Sequence, residues 1–129
     1  SLLFETPVEL LGRQHYIFEE DGQRHIVDMV FRDASDDSVV LVELKRGRLS
    51  RAHALQLQRY LRRAGESPMI RNLLGRGACL RGILATPEPC ELETKGRDIA
   101  IRIVDRQRAM NVLTELRWHR LGLLDEGKG

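Results

Sequence analysis

The chain has 129 residues, 42% hydrophobic and 31% charged, a composition that fits one soluble globular domain built on a single core. No apolar stretch approaches the roughly 20 residues that cross a bilayer, so a membrane partner is not expected, and the opening SLLFE lacks the basic-then-apolar pattern of a secretory signal. The net charge of +2 says little about partners, but its distribution says more: 18 of the 21 basic residues are Arg, and nine of these fall between Arg46 and Arg81, where Glu66 is the single acid. Arginine pairs bidentately with phosphate oxygens, so this segment suits a phosphate-facing side; a solvated helix surface would read the same way.

Two cysteines, Cys79 and Cys90, form no CxxC pair, and there is no HExxH or Cys/His cluster. They read as reduced thiols in a cytoplasmic protein without structural zinc. The chain does not begin with Met, which fits a trimmed product or a domain of a longer protein; a homodimer is equally compatible.

In chain order, residues 14–19 (QHYIFE) read as a first strand, and Asp21-Gly22 as a tight turn. Residues 24–32 (RHIVDMVFR) form a second strand, 33–38 (DASDDS) a polar turn, and 39–45 (VVLVELK) a third strand rich in β-branched residues. Beyond Gly47 the period changes. Ser50 is an N-cap candidate, and Ala54, Leu57, Leu61 and Ala64 make a helical stripe over 51–64, with Gly65 as its C′ residue. A short helix is expected over 69–76, then strands over 80–86 and 99–104. A closing helix over 107–121 would pack through Met110, Leu113, Leu116 and Trp118, and 125–129 read as a frayed tail. The order β-β-β-α-β-β-α, with a helix crossing between the third and fourth strands, predicts an α/β fold with a mixed sheet of five strands.

The second strand is apolar on both faces through Ile26, Val27, Met29, Val30 and Phe31, yet Asp28 sits in its middle. The third is apolar through Val39 to Val42, and then Glu43 shares a face with Lys45. Buried charge is costly unless compensated. An ordinary salt bridge between Lys45 and either acid would do this, and a lone E-x-K is more often that. A divalent cation held by Asp28, Glu43 and the backbone carbonyl of Leu44 would also do it, because hard cations take oxygen ligands. Lys45 would then face a scissile phosphate or the attacking water.

The run IVD ending at Asp28, followed by VELKRG over 42–47, resembles the signature of the PD-(D/E)XK nuclease superfamily. On the next helix, Gln56 and Tyr60 resemble the Q-x-x-x-Y motif of its RecB-like branch; four residues apart, they share one helix face, from which Gln58 is turned away. Over residues 14–64 the pattern is similar to the C-terminal nuclease domain of NucS/EndoMS endonucleases. The resemblance implies a restriction-endonuclease-like core and DNA cleavage dependent on Mg²⁺, with Mn²⁺ as a substitute. It implies metal ligation by Asp28 and Glu43, catalysis by Lys45 and supporting roles for Gln56 and Tyr60. Arg46, Arg48 and Arg51, just beyond the catalytic strand, are the candidates for DNA-backbone contact, whereas His53 carries little weight. The superfamily core opens with a helix that supplies an acid; only residues 1–13 precede the first strand here, with Glu5 and Glu9 as the acids to fill that place. NucS proteins add an N-terminal DNA-binding and dimerising domain that this sequence does not include, so mismatch specificity is not carried over. The competing readings are a catalytically silent nucleic-acid-binding module on the same fold and a partner-binding domain whose charges only form salt bridges.

Overall fold

The computed structural model describes residues 3–4, 7–90, 92 and 98–120. Glu5, the packing of Trp118 and the tail at 125–129 lie outside what it describes. Five strands and three α-helices follow one another as β1 (Glu9–Glu20), β2 (Gln23–Asp33), β3 (Ser38–Leu44), α1 (Arg51–Arg63), α2 (Pro68–Gly75), β4 (Cys79–Thr86), β5 (Ile99–Ile103) and α3 (Arg106–Arg120). The sheet order is β1-β2-β3-β4-β5; the first three strands form an antiparallel meander, and β3-β4 and β4-β5 are parallel. This is the expected α/β fold with a mixed sheet. Among the described residues no helix is long and apolar enough to cross a membrane.

Strand alternation sorts the core into two layers. Val39 and Leu41 turn toward α1 and α2, where they join Leu57, Tyr60, Ala64 and Ile70. Val40, Val42 and Leu44 turn the other way, onto Ala109 and Leu116 of α3. Because β3 is the middle strand and covered on both faces, every one of its residues is buried, Glu43 included.

The turns follow local chemistry. Asp21 and Gly22 both have positive φ (52° and 77°) and close a two-residue hairpin between Glu20 and Gln23, which matches the right-handed twist of the strands. Ser67 caps α2 and accepts from the Ile70 N–H, with Pro68 in the first helical position. Asp105 does the same for α3, accepting from the Arg108 N–H at 2.9 Å.

Several expectations need correction. The first strand is twice as long as 14–19 because irregularities between Leu10 and Gly12, and between Tyr16 and Phe18, break the alternation that marks a strand in sequence. Helix α1 does not end on a left-handed Gly65: Ala64 keeps right-handed helical geometry and the chain tightens into a 3₁₀ turn over Ala64–Glu66. Lys45 lies one residue past β3, although its N–H still bonds the Ala85 carbonyl at 2.8 Å.

Helix α1 comes very close to the sheet at Gly82, where a Cβ would stand 2.9 Å from Leu57 Cδ2 and 3.1 Å from its Cγ. Leu57 is fully buried and cannot swing aside. Gly82→Val is therefore expected to cost about 1–3 kcal/mol of stability through overpacking. Urea unfolding of the two proteins checks this; an unchanged midpoint would show that α1 sits farther from β4 than described.

Candidate functional site

Continuing the β2-β3 register from the Met29–Val42 pair puts Asp28 directly opposite Glu43. The ladder changes character there. The Asp28 N–H donates to Glu43 Oε1 at 3.0 Å, and the Leu44 N–H donates to Asp28 Oδ2 at 2.8 Å. Each carboxylate thus grips the backbone of the other strand. The two side chains share the face turned toward α1, since they alternate in phase with Val30 and Leu41.

Lys45 Nζ stands 3.3 Å from Glu43 Oε2, half-buried beside a carboxylate that is only 5% exposed. Glu43 thus has the Lys45 ammonium on one side and the like charge of Asp28 opposite it. Glu43 responds to this: burial, and then the Asp28 charge, push its carboxyl up to about 7, against the opposing pull of Lys45 and of the Asp28 N–H. Tyr60 closes the group from α1. Its hydroxyl is pushed up to about 12, first by burial and then by the charges of Glu43 and Asp28, so it keeps its proton at neutral pH. Its ring packs edge-on against Phe18 and His25, each with ring centres 6.1 Å away.

This donor set fits a divalent cation. Each carboxylate oxygen that accepts one hydrogen bond retains a further lone pair. In an extended strand the N–H and C=O of one residue leave on the same edge, so Leu44, whose N–H reaches Asp28, also directs its carbonyl to the β2 side. Among the described residues no group of three or more His, Cys, Asp or Glu side chains is placed to hold a metal, so a cation here would rely on two carboxylates and neutral oxygens.

The remaining expected residues separate. Gln56 is exposed on α1, and among the described residues no hydrogen bond ties it to the acids, although it lies one turn from buried Tyr60. Glu9 begins β1 opposite Arg32, well along the strand from Asp28. His53 serves the helix start, where its Nδ1 accepts the Ser50 N–H at 3.1 Å; burial and then the charge of Lys45 lower its pKa. Arg46, Arg48 and Arg51 are exposed, and Arg48 and Arg51 line a cleft of about 530 Å³ with Leu49, Pro89, Cys90 and Leu92. Not all of the basic segment is open to a ligand. Arg59 and Arg63 bind Glu20, Arg63 also binds Glu66, and Arg81 bridges Asp33 and Asp36. The acids that neutralise them are mostly remote in sequence, which is why the segment looks uniformly basic when read along the chain.

One residue at the site escapes the sequence reading. Gln14 of β1 donates through Nε2 to Asp28 Oδ1 at 3.2 Å and has a left-handed φ of 48°. Nothing in the run QHYIFE marks it apart, because its partner is reached across the sheet and its backbone state is one that Gln rarely adopts.

No family model matches this chain, and no curated protein matches it. Among solved structures, one similar to it is that of the EndoMS-dsDNA2 complex, at 26% sequence identity and a TM-score of 0.45, covering 88% of this chain and 35% of that chain. This chain thus spans well under half the length of that protein.

Proposed function

We propose that this chain is a divalent-metal-dependent deoxyribonuclease that hydrolyses phosphodiester bonds at Asp28, Glu43 and Lys45, with Mg²⁺ as the resident ion and Mn²⁺ as a substitute. The observation that carries this reading is the direct opposition of Asp28 and Glu43 on one face with the Lys45 ammonium beside Glu43. An ordinary salt bridge sets one acid against one ammonium; here a second carboxylate stands directly opposite the first, and carboxylate oxygens are the ligands a hard cation takes.

Asp28, Glu43 and the Leu44 carbonyl would hold the ion, which supplies Lewis-acid polarisation of a phosphate and activation of water. Lys45, half-buried beside Glu43, would offer its ammonium to the negative charge that grows as a phosphodiester is attacked, an effect stronger there than in bulk water. Tyr60, held protonated at neutral pH, keeps an O–H that can donate a hydrogen bond. Arg46, Arg48 and Arg51 would fix the nucleic-acid backbone beside the site without reading its sequence.

Duplex, single-stranded and branched DNA, each incubated with Mg²⁺ or Mn²⁺, test the reading. At least one substrate should be cut, and Lys45→Ala and Asp28→Asn should each slow cutting by roughly 10²–10³-fold. No cutting of any substrate, or equal cutting by Lys45→Ala, would reject it. Salt-sensitive DNA binding without turnover would instead identify a silent binding module.

The Glu43 carboxyl sets a pH dependence. A bound cation needs the carboxylate, so Mn²⁺ affinity measured by calorimetry should fall about tenfold per pH unit below pH 7. Without metal the stability effect has the opposite sense. The folded state holds the Glu43 proton more tightly than the unfolded state does, so the associated stability is full below pH 4.5 and is lost as pH rises through 7. Relative to Glu43→Gln, the wild type should lose on the order of 3 kcal/mol between pH 4.5 and 8, read from urea unfolding. A difference that stays flat across that range would mean Glu43 titrates normally.

A further inference from the structure

We infer that Gln14 is the positioning residue for Asp28, and that the distorted course of β1 exists to deliver it. Gln14 lies opposite Asp28, between the Arg13–Met29 and His15–Val27 pairs, and its carboxamide reaches Asp28 Oδ1 at 3.2 Å. In a regular strand, neighbouring residues point to opposite faces. Here two neighbours work on one face: Gln14 bonds Asp28, and His15 Nε2 lies 2.7 Å from Ser67 Oγ, at the start of α2 on the helical side of the sheet. The left-handed φ of 48° at Gln14 is what allows this. A non-glycine residue in that conformation is strained and persists where the surroundings fix it, a pattern that clusters at functional sites.

The fixing groups are visible. Ser67 is itself 1% exposed and caps α2, so the His15 contact ties β1 to a rigid element beside the kink. From the other strand, the Leu44 N–H holds Asp28 Oδ2. The carboxylate is therefore set from both sides, by β1 through Oδ1 and by β3 through Oδ2, and its rotation is fixed before any ligand arrives. A neutral carboxamide does this without adding charge to a pair of acids that already repel, which an additional carboxylate would worsen.

This inference rests on the reading of Asp28 as a metal ligand, and two variants with two readouts separate the two. Gln14→Asn keeps a side chain that tolerates left-handed φ but is one methylene short of Asp28. Gln14→Gly removes the side chain and the strain together, so the variant should fold. In both, the Mn²⁺ dissociation constant measured by calorimetry should rise about tenfold, as for groups that orient a ligand from behind. In the metal-free protein the Leu44 amide should exchange its hydrogen about tenfold faster, because its acceptor has lost the Gln14 bond. The Lys45 amide, bonded to Ala85, should not change. Wild-type Mn²⁺ affinity and wild-type Leu44 exchange in both variants would overturn the inference. If the wild type binds no Mn²⁺, the metal-centre reading falls, and Leu44 exchange alone decides whether Gln14 orients Asp28.

Discussion

Two carboxylates face each other across β2 and β3 at the point where the regular ladder stops. Like charges opposite one another on a sheet repel, and burial of Glu43 raises the cost. The fold does not avoid this. It uses each carboxylate as the acceptor for a backbone N–H of the opposite strand, so the acids hold the strand ends together while they repel. The groups around them follow from that tension: one ammonium from Lys45, one protonated hydroxyl from Tyr60 and one carboxamide from Gln14. Two like charges placed opposite one another attract a positive charge, and this is the physical basis of the proposed metal centre.

The arginines divide along similar lines. At the far end of the sheet, Arg81 binds Asp33, Asp36 and Ser38, fastening the β2-β3 turn to β4. Where α1 meets the β1-β2 hairpin, Arg63 lies 3.8 Å over the Phe18 ring, with His25 stacked near Phe18 at 4.4 Å. Arg59 and Arg63 both bind Glu20 there. These contacts fix α1 against the hairpin and so set the position of Tyr60, whose ring meets both Phe18 and His25. Arg46, Arg48 and Arg51, which follow Glu43 within eight residues along the chain, are left exposed.

Much of this was legible in the sequence, and for a local reason. Strand and helix periods, the Asp21-Gly22 turn and the Ser50 start depend on near neighbours in the chain, so β2, β3, α1 and the mixed sheet could be read directly. Asp28, Glu43 and Lys45 stood out because charge in an apolar strand is anomalous whatever lies around it. Tertiary structure alone decided the rest. Whether Asp28 and Glu43 meet depends on the register of β2 against β3, and a slip of one residue would have sent them to opposite faces. That Arg59, Arg63 and Arg81 are neutralised depends on acids brought from other strands or turns. The place of Gln14 depends on a backbone distortion that only the packing around His15 and Ser67 stabilises. Local pattern chooses which residues carry charge on a strand; long-range pairing chooses which charges meet, because those energies exist only once the chain has closed on itself.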